Sequence, residues 1–252
     1  MPTTTAAPKK HKKRFIVLWV VVGLLAALIA AFLIYTGIYY HADADAQRLA
    51  AGYDVQIEQR DGYIALTPTG AAPTTGYVFY PGGKVAAEAY LPYLAEVAEQ
   101  GYTCALLQPP FHLAIFDTGA AAGPIADNPG VTTWAVGGHS LGGVAAASYA
   151  GKAGPAVRGL VLLAAYPNTD LSQSGLQVAS ITATQDTVLN WDTYEASKTL
   201  LPPNTVYISI AGGNHGQFGL YGPQSGDGAA SISAAEQRAQ VAEATLQLLA
   251  GL

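Results

Sequence analysis

Continuous apolar segments of strand length recur along most of this 252-residue chain, and they restrict the folds that it can adopt. The segment GLVLLAAY at residues 159–166 shows no alternation of polar and apolar side chains. Such a segment is typical of a strand that is buried on both faces, as in a parallel sheet covered by helices on both sides. The sequence therefore predicts an α/β fold.

Strands and helices can be assigned in order after residue 53, because apolar runs alternate with longer Ala-rich stretches. The predicted strands are residues 55–58, 63–67, 77–80, 103–107, 134–137, 160–164, 178–183 and 206–210. The predicted helices are residues 86–100, 141–150, 193–200 and 233–249. The first two strands flank Asp61-Gly62, a hairpin signal, and the later order is mostly strand then helix. We predict one domain at 53–252 with a mostly parallel sheet of about eight strands, in which residues 111–130 form a partial helix followed by irregular chain.

The segment FIVLWVVVGLLAALIAAFLI at residues 15–34 contains no charged or strongly polar side chain. Twenty helical residues span about 30 Å, the thickness of the hydrocarbon core of a membrane. The basic cluster KKHKKR precedes this run, and the positive-inside tendency then keeps the N-terminus cytoplasmic. We predict a basic cytoplasmic tail at 1–14 and a transmembrane signal-anchor helix at 15–40, with Tyr35, Tyr39 and Tyr40 at its far end.

A linker at 41–52 would then lead to a domain on the extracytoplasmic side of the cell membrane. A cleaved signal peptide is the alternative, because Ala42-Asp43-Ala44 offers a small-residue cleavage site. The apolar run is, however, longer than the roughly 7–15 residues of an ordinary signal-peptide core. We therefore favour the uncleaved anchor.

Charge and cysteine content exclude several classes of function. Five of the 12 basic residues lie within residues 9–14, so the rest of the chain carries 7 basic and 17 acidic residues. An acidic domain repels phosphate backbones, which excludes nucleic acid as a partner. A single cysteine, Cys104, excludes an internal disulfide and a cysteine zinc site. Its apolar strand TCALLQ indicates a buried small hydrophobe rather than a nucleophile.

The segment WAVGGHSLGG at residues 134–143 places Ser140 in a Gly-x-Ser-x-Gly pattern between an apolar strand and a small-residue helix. A serine hydroxyl attacks a carbonyl only if a sharp strand-to-helix turn projects it clear of the sheet. Gly138 and Gly142 remove side chains that would collide in such a turn, and the helix N-terminus favours developing negative charge. Ser140 is the candidate nucleophile, against the alternative of a glycine-rich turn with an ordinary serine.

With this turn, the loop YPGGKV and the downstream segments TATQDTV and AGGNHGQFG, the chain resembles the α/β-hydrolase superfamily. It is most similar to small, single-domain esterase-like members, and the resemblance covers most of residues 53–252. The resemblance implies that a serine nucleophile, an acid after a later strand and a histidine after the last strand follow in that order. Here these residues are Ser140, Asp186 and His215.

His215 also has support from its own surroundings. It follows the strand VYISI in a glycine-rich loop, from which an imidazole can reach inward to take a serine proton. Among the other histidines, His41 adjoins the membrane segment and His112 follows two prolines. His139 precedes the nucleophile and is expected to point away from it, where it would pack or tune the turn.

Asp186 lies just past the strand at 178–183, at the edge where open α/β sheets bind their ligands. Its role would be to fix the imidazole tautomer and stabilise the imidazolium. Asp170 is the main rival because it also follows a strand, and Asp192 and Asp117 are further alternatives.

The glycine-rich loop after the third strand is where the resemblance places half of an oxyanion hole. It implies that a backbone N–H of Gly83 or Lys84 acts together with that of Leu141. The motif is PGG rather than the more common histidine–glycine, so the donor stays open between the two residues, and Lys84 itself fits a solvated surface lysine. The loop at 219–228 is similar to a calcium loop through Asp227 but offers too few oxygen ligands. No metal and no cofactor are expected.

These features predict a membrane-anchored serine hydrolase that acts on a small-molecule acyl substrate, a carboxylic ester, through an acyl-enzyme. The short connection at 165–177 leaves no room for a cap domain, which predicts an open, shallow site. Two alternatives remain at this level. The same triad could transfer the acyl group to an envelope component, or the domain could be a catalytically silent binding module on a hydrolase fold.

Overall fold

The computed structural model describes residues 10–70 and 72–252, with side chains described from residue 14 onward. The chain divides into two compact units, the second of which is Tyr39–Leu252. Most of the predicted basic tail, residues 1–9, lies outside the described residues. Helix α1, Lys10–Gly37, contains a 24-residue stretch with a mean hydropathy of 3.0, long and apolar enough to cross a membrane. A signal sequence near an N-terminus has the same properties.

An eight-stranded sheet forms the centre of the second unit, with strand order β1-β2-β4-β3-β5-β6-β7-β8. The strands are β1 Val55–Arg60, β2 Tyr63–Pro68, β3 Thr75–Tyr80, β4 Thr103–Leu107, β5 Thr133–His139, β6 Val157–Leu163, β7 Gln177–Ala183 and β8 Val206–Ile210. The remaining helices are α2 Ala46–Ala50, α3 Leu91–Glu99, α4 Ala122–Asp127, α5 Leu141–Ala150, α6 Trp191–Ser197 and α7 Ala234–Ala250. Strand β2 pairs antiparallel with β1 and β4, and all the other pairs are parallel. The predicted mostly parallel sheet of about eight strands is confirmed.

Local capping chemistry explains where the observed helices depart from the predicted bounds. The predicted helix at 86–100 begins as a 3₁₀ turn, Ala87–Tyr90, and becomes α-helical at Leu91. Pro92 lies in the first turn of α3, where proline fits because its missing N–H would have no helical partner. Helix α6 begins two residues earlier than predicted, because the Asn190 side chain accepts a hydrogen bond from the Thr193 N–H at 2.9 Å.

Residues 111–130 differ from the prediction in the order of their parts. Two 3₁₀ turns, Pro110–His112 and Ala114–Phe116, come first, and the helical turn α4 follows. Phe111 and His112 have positive φ angles of 57° and 56°, a conformation that no α-helix can contain. The backbone therefore turns sharply here before any helix can form.

Residues 39–50, which include most of the predicted linker, lie in the same compact unit as the sheet. The Tyr40 N–H donates to the Lys84 carbonyl at 2.7 Å, and the Ala86 N–H donates to the Tyr40 carbonyl at 2.9 Å. Helix α2 contacts α3 and buries Ala46 and Ala50. The polar composition of this segment gave no sign of these contacts.

The sheet separates two apolar clusters, which confirms that its central strands are buried on both faces. Tyr77 and Phe79 of β3 pack on the face covered by α3 and α7, and Val78 and Tyr80 pack on the face covered by α5. Cys104 is fully buried within the first cluster, and burial raises the pKa of its thiol. A thiol in this environment is protonated and packs as a small apolar group.

Candidate active site

The predicted site residues follow strands that end at one edge of the sheet. Strands β3, β5, β7 and β8 run parallel, so their carboxyl ends, and the loops that follow them, lie at the same edge. Gly83 follows β3, Ser140 follows β5, Asp186 follows β7 and His215 follows β8. Open α/β sheets bind their ligands at this edge.

Ser140 occupies a sharp turn between β5 and α5 with φ 51° and ψ −122°, a strained conformation for a residue with a side chain. A Cβ atom on Gly138 would overlap the backbone of Gly142, and one on Gly142 would overlap the carbonyls of Tyr80 and Pro81. Both glycines are therefore required by close backbone approach. The half-buried Ser140 side chain retains access to solvent, as expected for a serine on such a turn.

Asp186 and His215 form a buried pair, with 2.8 Å between Asp186 Oδ2 and His215 Nδ1. Both residues are at most 3% exposed. The other carboxylate oxygen of Asp186 accepts hydrogen bonds from the N–H groups of Val188 and Leu189, each at 2.8 Å. Since the carboxylate can only accept, His215 Nδ1 carries the proton, and Nε2 of the neutral ring is left as the basic nitrogen.

Within residues 72–252, no hydrogen bond joins Ser140 Oγ to His215. The two residues are nevertheless connected through His139, whose ring centroid lies 4.5 Å from that of His215. Hydrogen bonds between a nucleophile and its base are often long in unliganded enzymes and tighten only when the substrate binds. The structure thus brings Asp186 and His215 into contact and places Ser140 beside them without a direct bond.

The two candidate oxyanion donors in the loop after β3 differ in their backbone hydrogen bonds. The Lys84 N–H donates to the His112 carbonyl at 2.7 Å, and the Gly82 N–H donates to the Tyr90 hydroxyl at 3.1 Å. In the described part of the chain, the Gly83 N–H has no acceptor. A Cβ atom on Gly83 would meet the Leu141 side chain at 3.0 Å, so this loop lies against the start of α5. The Leu141 N–H belongs to the first turn of that helix, where no intrahelical acceptor exists.

Tyr90 and His139 form a contact that the sequence did not predict. The Tyr90 hydroxyl accepts from the Gly82 N–H at 3.1 Å and forms a hydrogen bond of 2.8 Å with His139 Nδ1. His139 Nε2 is buried without a hydrogen-bond partner among the described residues. Burial first, and then the nearby His215, lowers the pKa of His139 well below its usual value. A neutral His139 avoids placing a second positive charge against His215.

The rival residues lie elsewhere or have other partners. Asp170 is exposed, accepts from the Ser172 N–H at 2.9 Å, and lines a cavity with Val157 at the amino end of β6. Asp117 and Asp192 are also exposed. Of the four candidate acids, only Asp186 contacts an imidazole ring.

The remaining histidines have aromatic neighbours. The ring of Tyr39 lies 3.8 Å from that of His112 and 4.3 Å from that of His41. Desolvation, as the largest cause, lowers the pKa of His112. Neither histidine contacts a candidate acid, so His215 alone combines a carboxylate partner with a position beside the Ser140 turn.

Asp227, in the loop at 219–228, holds the segment that carries His215 through backbone hydrogen bonds. Its carboxylate accepts from the Gly216 N–H at 2.8 Å and the Gly228 N–H at 2.9 Å. Asn214 adds a hydrogen bond from its side-chain amide to the Gly228 carbonyl at 2.7 Å. These contacts join the His215 loop to residues 226–228 and occupy the Asp227 carboxylate oxygens with backbone donors.

The mostly parallel eight-stranded sheet, its flanking helices and the strand–serine–helix turn at its carboxyl edge define the α/β-hydrolase fold. The sequence matches the Alpha/beta hydrolase family over residues 76–239, more than half of the chain. The chain therefore belongs to this family. A search of the curated proteins finds no significant match.

Several solved structures share the fold. An esterase from Pyrobaculum calidifontis has 19% sequence identity and a TM-score of 0.58, over 80% of this chain and 88% of its own. A thermostable esterase from Pseudomonas putida ECU1011 has 16% identity and a TM-score of 0.58, over 82% and 88% of the two chains. Est1E from Butyrivibrio proteoclasticus has 13% identity and a TM-score of 0.56, over 78% and 99%. At these identities the similarity establishes the common fold.

Proposed function

We propose that this protein is a membrane-anchored serine hydrolase that cleaves carboxylic esters through Ser140, His215 and Asp186. The observation that carries the proposal is the buried Asp186–His215 pair, with a 2.8 Å hydrogen bond, at the same sheet edge as the strained Ser140 turn. A buried carboxylate that orients an imidazole beside a solvent-accessible serine is the arrangement that makes a weak nucleophile reactive. Membership in the hydrolase family and esterases among the structures of the same fold support the same reaction class.

The reaction follows from the proton positions in this arrangement. Ser140 Oγ attacks the acyl carbonyl while His215 Nε2 takes its proton, and Asp186 stabilises the resulting imidazolium. The N–H groups of Gly83 and Leu141 donate to the oxyanion of the tetrahedral intermediate. His215 then gives its proton to the departing alcohol, which leaves Ser140 acylated. Water repeats the sequence in place of Ser140, releases the carboxylic acid and restores the serine.

The surroundings of the site favour small or surface-presented acyl groups. In the part of the chain described, the connection from β6 to β7 contains no helix or strand that would form a cap. Ser140 and Leu141 are both half-buried rather than enclosed. A shallow site of this kind binds a short acyl chain with less loss of affinity than a long one, which needs a deep apolar channel.

We further propose that α1 anchors the domain in the cell membrane with the N-terminus in the cytoplasm. The 24-residue apolar stretch of α1 has the length and hydropathy of a membrane span. The preceding basic cluster supports the orientation through the positive-inside tendency. The catalytic domain is then extracytoplasmic.

Hydrolysis of p-nitrophenyl acetate and p-nitrophenyl butyrate by the full chain in detergent micelles tests the catalytic proposal. Replacement of the nucleophile in Ser140→Ala should lower the rate by about 10³-fold or more. Ser148→Ala is the matched control, because Ser148 lies on the helix that follows Ser140 and its hydroxyl donates to the Asn168 side chain at 2.8 Å. Activity that persists in Ser140→Ala would refute the triad, and inactivity of the folded wild type would favour acyl transfer or a binding role.

A further inference from the structure

Three large apolar side chains are exposed together on the loop after β4. Phe111 is 45% exposed, Ile115 49% and Phe116 53%, and we refer to them as the apolar cluster. The rings of Phe111 and Phe116 are 5.9 Å apart in an edge-to-face arrangement. Exposed aromatic groups that are contiguous, rather than scattered singly, mark interaction surfaces.

The apolar cluster lies beside the proposed oxyanion loop. His112, next to Phe111, accepts the Lys84 N–H through its carbonyl at 2.7 Å. The turn Ala114–Phe116 also contacts α5, the helix that begins directly after Ser140. The apolar cluster therefore lies next to the candidate active site, and any surface that it contacts faces that site.

Backbone strain keeps Phe111 at this surface. Phe111 and His112 both have φ angles near 57°, a left-handed conformation that costs a residue with a side chain about 1–3 kcal/mol. Such a cost usually reflects a functional requirement rather than a packing gain, and here the strained phenylalanine stays half exposed.

The chain that leaves α1 reaches the same loops almost at once. Helix α1 ends at Gly37, and the Tyr40 N–H already donates to the Lys84 carbonyl at 2.7 Å. The Tyr39 ring stacks on His112 at 3.8 Å. Three backbone steps reach at most about 11 Å. The chain therefore connects the end of α1 to the residue that pairs with Lys84 through only three backbone steps.

We propose that the apolar cluster docks on the lipid surface that anchors α1, and that the candidate active site draws its ester substrates from that surface. The substrate class is an ester whose alcohol is embedded in the bilayer. The substrate part of this inference rests on the proposed esterase function, whereas the docking part rests only on the anchor. Residues 15–252 carry 7 basic and 17 acidic side chains, so anionic headgroups repel the domain and the attachment must come from apolar contact.

Depth-dependent fluorescence quenching tests the docking. The full chain is placed in phosphatidylcholine vesicles with brominated acyl chains, after Phe116→Cys is labelled with an environment-sensitive fluorophore. Val206→Cys is the matched control, because Val206 is 57% exposed at the start of β8, whereas the native Cys104 is buried and unreactive. Brominated lipid should lower the emission from position 116 roughly twofold, as for a side chain in the interfacial region, and leave position 206 unchanged.

Equal quenching at both positions, or none, would overturn the docking. The emission from position 116 could instead change with protein concentration and not with brominated lipid. That result would indicate that the apolar cluster contacts a second copy of the chain, and it would also overturn the docking on lipid.

Hydrolysis of two butyrate esters by the full chain in vesicles tests the substrate class. One alcohol is a long-chain alcohol embedded in the bilayer, and the other is water-soluble p-nitrophenol, so the acyl group is the same. In Phe111→Ser with Phe116→Ser, the ratio of the embedded-ester rate to the soluble-ester rate should fall roughly tenfold, because two buried phenyl groups are lost from the lipid contact. Val206→Ser should keep the wild-type ratio.

An unchanged ratio in the double variant would overturn the assignment of the substrate class. If the wild type hydrolysed neither ester, the proposed esterase function would fail, and the quenching measurement would still decide the docking.

Discussion

The carboxyl and amino edges of the same sheet differ in how they use strained backbone. All the non-glycine residues with left-handed φ angles in the described chain follow the carboxyl ends of β3, β4, β5 and β6: Lys84, Phe111, His112, Ser140 and Ala164. At the amino edge, the turns that lead into β4 and β7 take the same conformation at Gly101 and Gly175, where it costs little. Strain is thus confined to the edge that carries the candidate site, as expected where backbone geometry serves function.

The amino edge also shows that a cavity alone does not make a site. A cavity of about 150 Å³ lies between β7, β8 and α7, and it is lined by apolar and amide side chains without a charged group, such as Gln177, Asn204 and Leu248. It offers no base and no nucleophile. The carboxyl edge holds the buried carboxylate–imidazole pair, so the candidate chemistry lies where the titratable groups are.

Substitution of one aspartate at each edge of the sheet tests this contrast. It has the largest effect that we expect. Asp186→Asn should lower kcat for p-nitrophenyl butyrate by about 10³–10⁴-fold, because an amide no longer fixes the His215 tautomer or stabilises its charged form. Asp170→Asn removes a carboxylate that is exposed at the amino edge and should stay near the wild-type rate. Steady-state kinetics of the two variants make the comparison. A large loss in Asp170→Asn with little loss in Asp186→Asn would reverse the assignment of the acid.

Tyr90, directly before α3, and Tyr93, within α3, allow a second comparison between the candidate site and the rest of the fold. Tyr90→Phe removes the hydrogen bonds to His139 and Gly82. It should reduce both the stability, by about 1–3 kcal/mol, and kcat, by roughly tenfold, because buried groups at the site lose their partner. Tyr93→Phe removes comparable buried bonds to Tyr77 and Thr245, which lie away from the site.

Tyr93→Phe should therefore lose stability without a change in kcat. Urea unfolding and steady-state kinetics on both variants separate a positioning role of Tyr90 from a purely structural one. An equal effect of the two substitutions on kcat would show that Tyr90 has no specific role at the site.

The sequence predicted the central strands and the Ser140 turn well because local signals determine them. Continuous apolar runs mark β4 and β8 to the residue, and helix α5 has the predicted bounds. The pairing of Asp186 with His215 was implied by the resemblance to the α/β-hydrolase superfamily, and parallel strands that end at a common edge are consistent with it. The predicted order of the loop after β4 was wrong, because sequence propensity gave no warning of positive φ angles at Phe111 and His112.

Contacts between residues that are far apart in the chain could not be predicted from the sequence. Tyr90 and His139 are 49 positions apart, and nothing in either neighbourhood indicates a hydrogen bond. The pairing of Tyr40 with Val85 likewise depends on how the chain returns over the sheet edge. The hydrogen bond from the Lys84 N–H to the His112 carbonyl, which leaves Gly83 as the proposed oxyanion donor, joins residues 28 positions apart. Tertiary contacts, not local pattern, decided each of these points.

The pH dependence of stability tests the neutral state of His139. Burial lowers the pKa of His139 in the folded protein, whereas the unfolded chain titrates near 6.5. Unfolding therefore takes up a proton below about pH 6.5, so the stabilisation is complete above that pH and falls by up to about 1.4 kcal/mol per pH unit as the solution becomes more acidic. His139→Asn has no titrating group and should lose less stability between pH 6.5 and 5.

Urea unfolding of the full chain in micelles at several pH values gives the slopes. The pKa of His112 is also lowered, but this residue is present in both proteins and its contribution cancels in the difference. Identical slopes for the wild type and His139→Asn would show that His139 is not held neutral.

Two serine-to-glycine substitutions test the backbone strain at the carboxyl edge. They have the smallest effect that we expect. Ser140→Gly should abolish ester hydrolysis and raise the free energy of unfolding by about 1 kcal/mol, because relief of the strained φ of 51° exceeds the entropy that glycine loses on folding. Ser148→Gly, in the last turn of α5, should instead lower the stability by about 1 kcal/mol. Urea unfolding at pH 7 measures both changes. Opposite signs for two serine-to-glycine substitutions eight residues apart would demonstrate that the fold stores strain at Ser140, and a loss in both would show that the turn is relaxed.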